Sequence, residues 1–285
     1  MNVHAISTGH VKLTHNWHIG KGKGLMRLVN TLTDRRFTDW LPIYVWVIEH
    51  PEGLIVIDAG IPADANASVW FPPFMRLVQR AAPFKMTPEQ EIGPQMEKLG
   101  LSPADVRWVI LTHLHQDHEG GLHHFPNAEF FVSRTEWEAA SGLKGRMGGY
   151  LNFRWPSWFN PTLIEFESRP YGPFDGYYMV TGRGDLVLVP TPGHSAGHLS
   201  VILHEQEQSL FFAGDVSYSD EFLLNHQFDG VGAQPDVHHE TYARVLTYAG
   251  QQPLVYLPSH DPGAEYRLET RQTLQTSGSK ITMLI

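Results

Sequence analysis

Three histidines and an aspartate occupy six consecutive positions, His113, His115, Asp117 and His118, in the stretch HLHQDHEGG. On an extended segment, residues two apart point to the same side, so His113 and His115 can grip one cation together. A turn into a helix then carries Asp117 and His118 round to face a second position. Three further candidates lie downstream: His194 in TPGHSAGH, Asp215 in FAGDVSY and His260 in LPSHDP. These N and O donors exceed what one tetrahedral ion takes, and two ions roughly 3.5 to 4 Å apart are the natural way to house them. Asp215, with two carboxylate oxygens, can bridge such a pair. His198 and Asp58 read as supporting residues, Asp58 by fixing the tautomer of a ligand histidine. Ligands of this kind suit Zn first, with Mn, Fe and Co as alternatives.

The elements that must position these residues are legible in the flanking runs. VRWVILT reads as a buried strand running into the histidine loop, and LVLVP, SLFFAG and PLVYLP read as strands ending at His194, Asp215 and His260. Side chains at the ends of neighbouring strands converge on one rim of a sheet. PIYVWVIEHPEGLIVIDAG (42–60) reads as a hairpin with a His-Pro-Glu-Gly turn, and 197–218 repeats its plan, which suggests two similar halves. Thr87, Pro88 and Glu89 start a helix that stops at Leu99 and Gly100, and AEFFVSRTEWEAAS reads as strand then helix. Alternating strands and helices imply layers of helix on sheet. Aromatic, proline-interrupted stretches at 69–84 and 150–166 read as lids over the site or as a subunit interface, with core packing accounting for part of both.

Composition narrows the function classes. The 285 residues, 42% hydrophobic and 18% charged, suit a globular protein with a sizeable core, as one large domain or two small ones. Cysteine is absent, which excludes disulfides, thiolate metal sites and a cysteine nucleophile. A formal charge of −9 without a basic stripe argues against a nucleic-acid partner. The first twenty residues lack a secretory pattern and no apolar run would span a bilayer, so a cytoplasmic protein with no membrane partner is expected. Of the 17 histidines, His4, His10, His15 and His18 sit among polar neighbours, and the pairs His123–His124 and His238–His239 are of a kind common on helix surfaces. These were not expected to be ligands.

HLHQDH together with VIDAG, TPGHSAGH, AGD and SHD, in that order from about residue 42 to 262, resembles the metallo-β-lactamase superfamily. The resemblance implies an α/β fold, an αβ/βα sandwich of two mixed sheets with outer helices and a dinuclear site on one edge. It implies a single domain over 1–285, with lid or interface insertions at 61–87 and 145–182. By position, His113, His115 and His194 would bind one ion, Asp117, His118 and His260 the other, with Asp215 between them.

Within that superfamily the chain is similar to the quorum-quenching N-acyl homoserine lactonases, through IEHPEGLIVIDAG and through Tyr218 three residues after Asp215. That likeness implies a hydrolase that opens a lactone ring by attack of a metal-bridging hydroxide. Tyr218 would hydrogen-bond the carbonyl and Asp117 would pass a proton to the leaving alkoxide. The substrate would be a small ester or lactone, and a homodimer is a candidate assembly. Phosphotriesterase and thioesterase activity of the hydroxyacylglutathione hydrolase type are the alternatives. Two departures bear on substrate: Gln116 stands where an apolar residue is usual, and Asp-Ala-Gly at Asp58 replaces Asp-Thr-Gly.

Overall fold

The computed structural model describes residues 1–67, 70–232 and 234–276. One sheet contains β1 (Asn2–Val11), β2 (Leu41–His50), β3 (Gly53–Ile57), β4 (Phe84–Lys85), β5 (Val106–Ile110), β6 (Glu129–Ser133) and β7 (Thr162–Ile164), in the order β4-β1-β2-β3-β5-β6-β7. The other contains β8 (Tyr178–Met179), β9 (Leu186–Pro190), β10 (Leu199–His204), β11 (Ser209–Gly214) and β12 (Leu254–Pro258), in the order β12-β11-β10-β9-β8. The helices are α1 (His15–His18), α2 (Gly24–Thr33), α3 (Arg76–Ala81), α4 (Ile92–Lys98), α5 (Gln116–Glu119), α6 (Arg134–Ala140), α7 (Gly142–Met147), α8 (Asp220–Leu224), α9 (Pro235–Gln251) and α10 (Ala264–Thr270). Among the described residues no helix is long and apolar enough to cross a membrane.

The two sheets pack face to face, and side-chain alternation decides which residues meet. Trp46, Ile48, Ile55, Ile57 and Ile110 of the first sheet bury against Leu188, Val201, Leu203 and Phe212 of the second. The opposite faces are covered as well. Val45, Val47 and Val109 pack under Ile92 and Met96 of α4, while Val187, Ile202 and Phe211 pack under Tyr242, Val245 and Leu246 of α9. Strands covered on both faces must be apolar at consecutive positions, which is why LPIYVWVI and LVLV read as unbroken runs.

The two halves share a pairing pattern. β1-β2 and β2-β3 are antiparallel and β3-β5 is parallel; β9-β10 and β10-β11 are likewise antiparallel and β11-β12 parallel. The parallel partner in each half, β5 or β12, runs directly into a metal-ligand candidate loop.

Two sequence expectations need correction, and one strand lies where no expectation was made. The helix starting at Thr87 is broken: a 3₁₀ turn at Pro88–Gln90, capped by Thr87, is followed by extended Glu91 and then α4. A continuous helix would have put Pro94 in its interior, opposite the Gln90 carbonyl; the break moves Pro94 into a first turn, where a missing N–H costs nothing. β1, in a segment with no clear strand signal, is a ten-residue strand flanked by β2 and β4. His238 lies buried inside α9 with Nε2 donating to the Val216 carbonyl at 2.6 Å, so it is not on a helix surface.

The aromatic stretches divide among several roles. Trp155 stacks on Trp137, and Phe159 packs edge-on against Phe130, both in the layer under the first sheet. Tyr150 instead faces His115, with ring centroids 5.3 Å apart. Val69 lies outside the described residues.

Candidate metal centre

All seven ligand candidates stand at the ends of β5, β9, β11 and β12, and the strand order brings them to one rim. His113 Nε2 lies 3.0 Å from His115 Nδ1, which in turn lies 3.0 Å from His194 Nε2. Asp215 stands at the middle of the cluster. Its Oδ2 is 3.4 Å from His194 Nε2, while its Oδ1 is 3.3 Å from His118 Nε2 and 3.4 Å from His260 Nε2. Asp117 Oδ2 completes the second group at 3.5 Å from His260 Nε2. The two oxygens of one carboxylate thus face two different sets of histidines.

The far nitrogen of four of these rings is held by a partner, which fixes where the near nitrogen points. His118 Nδ1 lies 2.8 Å from Asp58 Oδ2, His194 Nδ1 lies 2.9 Å from Asp229 Oδ2, and His260 Nδ1 donates to the Pro42 carbonyl at 2.8 Å. His113 Nδ1 lies 3.1 Å from the Thr112 hydroxyl, which is itself 3.0 Å from each oxygen of Asp58. With these nitrogens protonated, every Nε2 turns a lone pair into the cluster.

That convergence of lone pairs is the test of fit for a metal. His118 Nε2 and Asp215 Oδ1 are buried and lack a partner with hydrogen-bond alignment. Three ring nitrogens facing one another at 3.0 Å need a cation between them more than they need each other. The donor set is therefore suited to divalent transition metals.

Electrostatics of the metal-free cluster agree. Burial, reinforced by the neighbouring His118, drives the pKa of His113 far down, and burial beside His194 lowers that of His115 to about 3. For His118 and His194 burial works the same way but is outweighed by carboxylates: Asp215 and Asp58 hold His118 well above its ordinary value, and Asp229 and Asp215 raise His194 to about 9. Burial would raise the pKa of Asp215, but His260, His118 and His194 hold it well below the usual carboxylate range. Without metal, protons on histidine must balance the buried carboxylates; bound cations would replace those protons.

The local backbone is built for this. Asp58 has φ +63°, an uncommon conformation for a residue that is not glycine, and from it accepts the Thr112 N–H at 2.8 Å. Gly214 has φ +57°, and a Cβ there would meet His198 Nε2 at 2.7 Å. His198 uses that nitrogen to accept the Asp215 N–H at 3.0 Å, so it supports the backbone of Asp215 and does not join the donor cluster.

Sequence reasoning missed three residues. Asp229 lies in a loop with no strand beside it to mark it. Glu136, which looks like an ordinary first-turn acid, is buried and accepts from Leu114 N, Ser195 Oγ, Gly197 N and Tyr150 OH, tying the His113–His115 loop to the His194 loop. Trp17 donates from Nε1 to the Tyr218 oxygen at 3.2 Å across 201 residues of sequence.

Beside the cluster opens a pocket of about 320 Å³. Its lining includes His115, Asp117, His194, Asp215, Tyr218 and His260, together with the apolar side chains of Val11, Leu13, Leu28, Leu32, Val78 and Phe84. Gln116 and Tyr150 also line it. A larger cleft of about 960 Å³ shares none of these residues and lacks the seven candidates, so the smaller pocket is where chemistry at the cluster can occur.

A two-sheet sandwich with a His/Asp cluster on its rim defines a metal-dependent hydrolase. The model of the Metallo-beta-lactamase superfamily matches residues 38–260, and the chain belongs to that superfamily. Among curated relatives, an N-acyl homoserine lactonase of Bacillus thuringiensis is 33% identical over 228 residues, covering 78% of this chain and 82% of the relative. The N-acyl homoserine lactonase AttM of Rhizobium radiobacter is 29% identical over 238 residues, covering 79% and 83%. A solved N-acyl homoserine lactone hydrolase with the product N-hexanoyl-L-homoserine bound at its catalytic metal centre superposes with a TM-score of 0.74 at 26% identity, over 95% of this chain and 96% of that one.

Proposed function

We propose that this chain hydrolyses the lactone ring of N-acyl homoserine lactones at a dinuclear metal centre, zinc being the first candidate ion. The carrying observation is a pocket lined both by the donor residues and by apolar side chains, a match for a polar lactone head with an apolar acyl tail. The kinship with N-acyl homoserine lactonases supports the same substrate class.

In this reading His113, His115 and His194 would hold one cation and Asp117, His118 and His260 the other, with Asp215 between the two groups. Such a pair supplies Lewis acidity and brings the ionisation of water close to neutral pH. Tyr218 acts on the carbonyl oxygen: its own oxygen already accepts from Trp17, and among the described residues its O–H has no acceptor, so that proton is available to the developing oxyanion. Burial, with Asp229 and Asp215 nearby, raises the pKa of this phenol above its ordinary value, which favours the protonated, donating form. Asp117, in α5 and 3.5 Å from His260 Nε2 through Oδ2, is in this reading the group that carries a proton to the leaving alkoxide. The apolar side chains of the lining hold the acyl chain.

Among the described residues no Lys or Arg lines the pocket, which weighs against an anionic glutathione thioester. A neutral phosphotriester is not disfavoured on this ground, and the Tyr218 experiment in the Discussion separates it.

The acyl-chain reading is tested by chain length. Each methylene buried among the apolar side chains is worth about 0.8 kcal/mol, so kcat/KM should climb roughly fourfold per methylene and then level off when the pocket is full. Rates that stay flat from short to long chains would mean that Leu28, Leu32 and Val78 do not meet the substrate.

A further inference from the structure

We propose that Glu91, His123 and His124 form a further site for one divalent transition cation, separate from the rim cluster. The adjacent histidines follow α5 on a 3₁₀ turn, Leu122–His124, whereas Glu91 lies on the extended residue before α4. In sequence they are over thirty residues apart; in space they converge. His123 Nε2 lies 3.2 Å and His124 Nε2 2.8 Å from the same oxygen, Glu91 Oε2. Ligand atoms about 2.1 Å from a shared ion lie roughly 3.0 to 3.4 Å from one another, so only small adjustments separate this arrangement from a coordinated one. One ligand atom from each residue falls within 4.8 Å of the other two.

The donors are also held in place. The other carboxylate oxygen, Oε1, accepts the Ala63 N–H at 2.8 Å, which turns Oε2 toward the histidines. The His124 ring rests on Gly93, where a Cβ would stand 2.4 Å from Nδ1, so the glycine makes room for the ring. His123 is about half exposed, and with Glu91 it borders the cleft of about 960 Å³, leaving water free to complete the coordination. Two imidazoles and one carboxylate select a borderline cation such as Zn²⁺ over Ca²⁺ or Mg²⁺. An ion here would clamp three segments together: the turn at Ala63, the start of α4, and the turn that follows the ligand-bearing α5.

The test is zinc stoichiometry of the full chain by equilibrium dialysis followed by metal analysis, comparing wild type with Glu91→Gln, His123→Gln and Gly93→Ala. Glu91→Gln keeps an oxygen for the Ala63 N–H and loses the anionic donor; Gly93→Ala displaces the His124 ring without touching a donor. Each variant should bind one zinc equivalent fewer than wild type at limiting free zinc, with affinity for that equivalent reduced about tenfold or more. Because the readout is a difference, it holds whatever number of ions the rim cluster takes. Equal stoichiometry in wild type and all three variants would overturn the proposal. Wild-type crystals soaked in zinc give a second reading that needs no variant: an anomalous peak among Glu91, His123 and His124 is expected, and its absence while the rim cluster is filled would also overturn it.

Discussion

Replacing Asp215 with alanine should remove metal binding and turnover together. Its two oxygens face His194 on one side and His118 and His260 on the other, at 3.3 to 3.4 Å. Changing a residue that only supports a metal ligand commonly costs 10- to 100-fold, so losing the shared ligand should cost more than about 100-fold in both metal affinity and kcat/KM. Stability should fall as well. Removing this carboxylate leaves the buried histidines around it without their shared anionic partner, and breaking a buried pair costs about 3–5 kcal/mol. Metal content, turnover and thermal midpoint measured on one preparation would check all three. Near-normal metal content and activity in Asp215→Ala would place the chemistry elsewhere in the molecule.

Tyr218→Phe should separate lactones from phosphotriesters. The ring is fixed by His18 and His260, with centroids 5.2 and 5.8 Å away, and phenylalanine preserves that packing. What is lost is the hydroxyl, and with it the acceptor of the Trp17 Nε1–H. A lactone carbonyl concentrates its developing charge on one oxygen within reach of this donor, whereas a phosphoryl oxygen can be held largely by the cations. Lactone turnover should drop roughly tenfold to a thousandfold, and phosphotriester turnover much less. Equal losses on metal-matched preparations would make Tyr218 a general support of the site, and no loss on either would leave it a packing residue.

The ligand candidates were legible because each follows a strand that is apolar at consecutive positions and closes with a small or turn-forming residue. The pattern thus identifies both the side chain and the sheet edge that presents it. Layers of helix on sheet and two hairpins of one plan were legible for the same reason, whereas the αβ/βα sandwich followed from the family resemblance. What escaped sequence reading depends on contacts without a local signal. Trp17 and Leu28 come from an N-terminal segment whose strand, NVHAISTGHV, mixes polar and apolar residues without a clear run, yet they meet Tyr218 and the pocket. Glu136 carries a first-turn helix signature that hides a buried, four-donor acceptor. Asp229 is followed by glycine and valine in an irregular loop, and only the folded chain sets it against His194.

The central claim is that the pocket serves lactone ring opening, and the most direct test is a rate comparison on a single zinc-loaded preparation. N-acyl homoserine lactones of increasing chain length, a neutral phosphotriester and a glutathione thioester would be followed by acid release under the same conditions. The account predicts that the best lactone exceeds both other classes in kcat/KM by about tenfold or more, a barrier difference of about 1.4 kcal/mol. A phosphotriester or thioester turned over faster than every lactone would contradict it.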